Sequence, residues 1–240
     1  MKITTVLFDL DGTLLPMDQD EFTRGYFGLL TKKLAPKGYD PKKTVDAIWA
    51  GTAAMVKNDG SRTNEAVFWR KFAQLLGEGT LADRPLIDEF YSREFQAAVA
   101  FCGHNPKAAG TVRAMKRAGC RVVLATNPIF PAAGTDTRIR WVGLEPDDFE
   151  LRTTYENSHW CKPDPNYYRE ILDTLGLSAG ECLMVGNDAT EDLAALEVGM
   201  RVFLLTDCLI NREGKDLSPY PRGGFDELMD FWTELREGEA

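Results

Sequence analysis

Asp9 and Asp11 stand one residue apart in "VLFDLDGTLLP", at the end of an apolar run and just before Gly12. With the backbone extended at Asp9, a spacing of two turns both carboxylates to one face, and Gly12 lets the chain turn sharply. Two carboxylates this close repel, and one takes up a proton unless a cation compensates. Asp188 and Asp192 in "GNDATED" are four apart. That spacing predicts one shared helical face in a first turn, where the helix dipole favours negative charge. Hard oxygen donors converging on one point describe a Mg²⁺ site, completed by a carbonyl, waters and an anionic substrate. Taken singly, each feature has a plainer reading: a DxD before a turn is capping chemistry, Asp188 is an N-cap, Thr126 and Asn127 cap the next segment, and Lys162 is a surface lysine. Their coincidence at successive strand ends is what points to a site.

Strand ends have to bring these groups together. Ile3 to Phe8 is apolar and β-branched, as in a strand buried on both faces. From Asp18 to about Ala100 the period becomes helical, with Phe22, Tyr26 and Leu30 at spacing four and a second stripe through Val45, Ile48, Trp49, Thr52 and Val56. Asp40-Pro41 starts that second helix, Phe68, Phe72 and Leu75 mark a third halted at Gly77, and Ile87, Phe90, Tyr91 and Phe95 a fourth. Beyond it βα units follow: Asn105-Pro106 opens a helix before "RVVLAT", Asp164-Pro165 opens one before "CLMVG", and "ATEDLAALEVGM" reads as a helix before "RVFLL". Phe225 to Leu235 is the last helix. The fold class is α/β, a doubly wound parallel sheet with a helical-bundle insert: residues 1–16 and 101–240 make the core and residues 17–100 the insert. In such a sheet, ligands bind outside the carboxyl ends of the strands, where Asp9, Thr126, Asn127 and Asp188 all fall.

Composition bounds the partners. The formal net charge of -9 leaves no basic excess to neutralise nucleic-acid phosphates or an acidic membrane. Five widely spaced cysteines without a CxxC pair fit a reduced, cytoplasmic protein and not a disulfide framework or zinc site. Asp9 interrupts the first apolar stretch, and no span approaches membrane length. Oligomeric state has no signature in the sequence.

The ordered motifs "DLDGT", "LATN", "CKPDP" and "GNDATED" resemble the four motifs of the haloacid dehalogenase superfamily, and residues 17–100 occupy that family's common cap position. The resemblance implies a HAD-like Rossmannoid core. It also implies Asp9 as the nucleophile that forms an aspartyl-phosphate and Asp11 as general acid and then base. Thr126, Asn127 and nearby backbone amides would hold the phosphoryl oxygens, and Lys162 would offset the charge. Mg²⁺ would be held by Asp9, the Asp11 carbonyl and Asp188, with Asp192 orienting the metal shell. Asn187 departs from the family's common GD pair, although the spacing from Asp188 to Asp192 is kept.

Within the family, dehalogenases lack an acid two residues after the nucleophile, so Asp11 favours phosphoryl transfer. Transporting ATPases carry DKTGT, absent here. The expectation is a Mg²⁺-dependent phosphatase of a small phosphorylated metabolite. A sugar-phosphate mutase shares the Asp pair and the helical cap and stays open. Phosphonate hydrolysis needs a cap lysine, for which Lys32, Lys33, Lys42, Lys43 and Lys57 are the candidates. A non-enzymatic phospho-acceptor of the receiver type is the alternative from another class, but receivers lack a large insert after strand one. Substrate identity belongs to the insert, where Arg62 in "KNDGSRTNE" is either a substrate contact or a solvated loop arginine, and Trp49 and Trp69 either pack or line its inner face.

Overall fold

The apolar run at the start of the chain forms β1 (Thr5–Phe8), whose four residues are all buried. In the computed structural model, which describes residues 2–237, β1 is the centre of the sheet. The flanking strands are β2 (Arg121–Leu124), β3 (Leu151–Arg152), β4 (Cys182–Gly186), β5 (Arg201–Leu205) and β6 (Arg222–Gly223), all parallel, in the order β3-β2-β1-β4-β5-β6. Residue 1 and residues 238–240 of the expected core lie outside the described residues.

Strand periodicity sorts side chains to two cores. Val6 and Phe8, Val122 and Leu124, Leu183 and Val185, and Phe203 and Leu205 enter one core; the alternating Leu7, Val123, Met184, Val202 and Leu204 enter the other. Burial on both faces is what makes these strands read as unbroken apolar runs. Helices α5 (Pro106–Arg117), α6 (Ala132–Trp141) and α8 (Phe225–Glu237) contribute to the first core, and α7 (Pro165–Leu175) to the second. All five cysteines are free thiols. Among the described residues no helix is long and apolar enough to cross a membrane.

Between β1 and α5 lie α1 (Gln19–Leu34), α2 (Pro41–Val56), α3 (Asn64–Leu76) and α4 (Arg84–Ser92), then a 3-10 segment Glu94–Phe101 that carries Phe95. The starts are set by Asx caps: the Asp18, Asp40, Asn105 and Asp164 side chains each accept a backbone N–H two or three residues on. The chain leaves for these helices and returns from them at one point, where Met17 bridges Cys102 and the Gly103 N–H donates to Pro16 O at 2.7 Å.

Two sequence expectations change. "ATEDLAALEVGM" is a tight turn and a 3-10 segment, Leu193–Val198, not an α-helix. Helix α6 was not expected. The residues it buries include Gly134, Thr135, Thr137 and Arg138, so its inner face has no apolar stripe to read.

Candidate active site

Strand order reverses between β2 and β4 on either side of β1, and three chain segments end there: Asp9 after β1, Thr126 and Asn127 after β2, Asn187 and Asp188 after β4. This is the crevice where an open parallel sheet binds ligands. Gly12 is required for the first turn, since its φ is +84° and a Cβ would collide with the Asn187 side chain. A cavity of about 280 Å³ opens over these ends, lined by Asp9, Asp11, Asp20, Asp188, Glu191 and Asp192, with Arg212 as its one basic lining residue among those described.

Lys162 precedes α7 and is buried beneath this floor. Its ammonium donates to Asp9 Oδ1 at 3.0 Å and to Asp192 Oδ1 at 2.7 Å. Asp192 Oδ2 accepts the backbone N–H groups of Asn187 and Asp188, each at 2.9 Å. Asp192 therefore ties the lysine to the loop after β4. That inward pull replaces the expected helical face shared with Asp188, whose own Oδ1 caps the Thr190 and Glu191 N–H groups at 2.7 and 2.9 Å. The Thr13 hydroxyl stands 3.0 Å from Asp9 Oδ2 and 2.9 Å from Asn187 Oδ1, which fixes the other side of the Asp9 carboxylate.

Burial and charge together set the protonation. Burial raises the Asp9 carboxyl to about 7, with Lys162 opposing and Asp192 and Asp11 adding to the rise. Burial lifts Glu191 to about 8, again against Lys162 and aided by Asp192, Asp188 and Asp9. Burial pulls Lys162 down, but Asp192 and Asp9 outweigh it and hold the ammonium well above its ordinary range.

The cation facing Asp11 comes from α6. Arg138 is completely buried and pairs with Asp11 Oδ2, while its Nε donates to Gly134 O at 3.2 Å and its guanidinium lies 4.1 Å over the Phe130 ring. Arg138→Met leaves Asp11 without this partner and should cost about 2 kcal/mol, or roughly 4–8 °C in melting temperature. An unchanged thermal transition by circular dichroism contradicts that reading of the pair.

The structure brings Asp9, Asp11, Thr126, Asn127, Asp188 and Asp192 to one cavity, with Lys162 bonded to two of them. Arg62 is not brought there: it is exposed on the loop between α2 and α3, and its carbonyl accepts from Asn58 Nδ2 at 2.8 Å. The sequence reading gave no role to Thr13, Asn187 or Glu191, which lie inside motifs it quoted, nor to Arg212 and Arg138. Asn127 Nδ2 holds Glu191 Oε1 at 2.9 Å, while Asn127 Oδ1 and Asp11 Oδ1 are buried without a hydrogen-bond partner. Among the described residues no three Asp, Glu, His or Cys side chains are grouped to hold a metal by themselves. The carboxylates of the lining and the unpaired Asp11 oxygen nevertheless suit a hard cation that takes its remaining ligands from backbone, water and substrate.

Known proteins resemble this chain. Phosphatase MT3486 of Mycobacterium tuberculosis (strain CDC 1551 / Oshkosh) is 25% identical over 224 residues, covering 91% of this chain and 95% of that protein. A HAD phosphatase from Thermococcus onnurineus superposes with a TM-score of 0.57 at 21% identity, covering 96% of this chain and 97% of its own. A 2-haloacid dehalogenase from Pseudomonas syringae pv. Tomato DC3000 gives 0.61 at 22% identity, covering 97% and 99%. The two structures show the fold. Residues 3–199 match the model of the haloacid dehalogenase-like hydrolases, and the chain belongs to that family of enzymes.

Proposed function

We propose that the enzyme is a Mg²⁺-dependent phosphatase that hydrolyses a small phosphorylated metabolite through an aspartyl-phosphate on Asp9. One observation carries this reading: a nearly buried carboxylate, with an ammonium on one oxygen and a hydroxyl near the other, stands at the floor of a cavity two residues before a second acid. In the first step an Asp9 oxygen bonds to phosphorus, the bond from phosphorus to the alcohol oxygen breaks, and Asp11 gives that oxygen a proton. In the second step water bonds to phosphorus, the Asp9–phosphorus bond breaks, and Asp11 takes the proton from water. Thr126 and Asn127 hold phosphoryl oxygens, and Lys162 favours the ionised form of Asp9 and offsets charge on the transferring group. Asp9, Asp188 and the Asp11 carbonyl would hold Mg²⁺, with Asp192 fixing the loop that carries Asp188. When bound, the ion supplies charge neutralisation for the phosphoryl group.

Residues 17–100 act in this reading as a cap on a core of residues 1–16 and 101–240. The juxtaposed ends of the insert and the presence of Gln19, Asp20, Phe22, Thr23 and Trp49 in the cavity wall support that division. Five free thiols support a cytoplasmic setting. Phosphate release from acetyl phosphate and p-nitrophenyl phosphate tests the activity: release should require Mg²⁺, stop on chelation and return when Mg²⁺ is restored. Release that survives chelation contradicts the metal dependence, and no release from either compound contradicts the phosphatase.

A further inference from the structure

Beside the acidic cavity lies a second one of about 100 Å³, enclosed by the insert helices and the segment after β2. The two adjoin, with Thr23, Trp49, Ile129 and Phe130 lining both. Their chemistry is opposite. No charged side chain lines the second cavity among the described residues; its walls are aromatic and aliphatic carbon, with hydroxyls and two indole N–H groups as the polar side-chain groups. Most of those polar groups already have partners: the Tyr26 and Tyr91 hydroxyls lie 2.8 Å apart, and Trp69 Nε1 donates to Tyr155 Oη at 3.4 Å. Ring faces are thus left for contact. Trp49 is 52% exposed, unusual for an indole, and it stands where the two cavities join, with its ring edge-on to Phe27 at 5.5 Å.

We propose, building on the phosphatase reading, that the second cavity takes the leaving group and that the substrates are phosphate monoesters of uncharged, apolar alcohols. A phosphoryl group at Asp9 directs the rest of its ester away from the strand ends, where the adjoining space under the insert helices is apolar and the space past Asp20 and Arg212 is polar. An anionic group entering it would lose its water and meet no counter-ion, a cost no wall residue offsets. A carboxylate-bearing leaving group or the second phosphate of a sugar bisphosphate is disfavoured on that ground. Trp49 and Phe130, shared by both cavities, form the collar through which the ester's first carbon passes.

The test measures kcat/KM with Mg²⁺ for benzyl phosphate, 2-phosphoglycolate and glucose 6-phosphate, with acetyl phosphate as a substrate too small to reach the second cavity. Benzyl phosphate should exceed the two polar esters by about 100-fold, the advantage a buried apolar ring brings in discrimination. Thr52→Asp, which puts a charge into the apolar wall, should cut that ratio at least about tenfold, and Thr52→Val should preserve it. Equal or greater kcat/KM for phosphoglycolate overturns the inference while phosphate release itself leaves the phosphatase intact. If no compound is hydrolysed, acetyl phosphate included, the phosphatase reading falls and the inference built on it falls with it.

Discussion

Asp9→Asn should reduce phosphate release by at least about 10⁴-fold, because the amide cannot form the covalent intermediate. The same variant should be more stable than the wild type without metal. Folding raises the Asp9 carboxyl from 3.8 to about 7, chiefly by burial. The native state therefore holds a proton that the unfolded chain has released, so this group lowers stability progressively as pH climbs from about 4 to 7. At pH 8 the substitution should gain about 1 kcal/mol, or roughly 2–4 °C, and the gain should vanish near pH 4. Thermal denaturation of both proteins across that range, with a chelator present, checks the sign. A variant less stable at pH 8 than at pH 4, relative to wild type, contradicts it.

Lys162→Met should act in the other direction on stability and in the same direction on catalysis. The ammonium bridges Asp9 and Asp192 and is fully buried, so its loss leaves two carboxylates facing each other without a cation. Breaking a buried pair by removing one partner costs about 3–5 kcal/mol. Catalysis should fall by about 10²–10³-fold through lost stabilisation of the transferring group. Because Lys162 opposes the rise of the Asp9 carboxyl, the pH of half-maximal activity should also move upward. That last shift separates a role in holding Asp9 ionised from a merely structural one, and an unmoved profile contradicts the former.

Legibility in the sequence followed the physics of each segment. Strands β1, β2, β4 and β5 are buried on both faces and stand out as apolar runs, whereas β3 and β6 are two residues each and partly exposed, too short to carry a period. Asx-Pro pairs marked helix starts because side-chain capping and the fixed φ of proline are local effects, independent of tertiary context. Helix α6 escaped for the opposite reason: its inner face is threonine, glycine and a buried arginine that tertiary structure alone justifies. Arg138 went unread with it, so Asp11's partner was missed although Asp11 itself was plain. At 188–192 the spacing of two acids suggested a helix, but the Lys162 ammonium and two amides turn Asp192 inward instead, an interaction across thirty residues of sequence. Arg62 and Arg212 look alike as loop arginines, and the fold alone decides which one reaches the cavity.

The covalent role of Asp9 is the centre of this account, and trapping tests it most directly. Borohydride added during turnover of benzyl phosphate with Mg²⁺ reduces an aspartyl-phosphate to homoserine. Peptide mass spectrometry should then find homoserine at position 9, dependent on substrate and absent when Mg²⁺ is chelated. Substrate-dependent phosphate release with Asp9 unmodified, or homoserine at any other aspartate, contradicts the assignment.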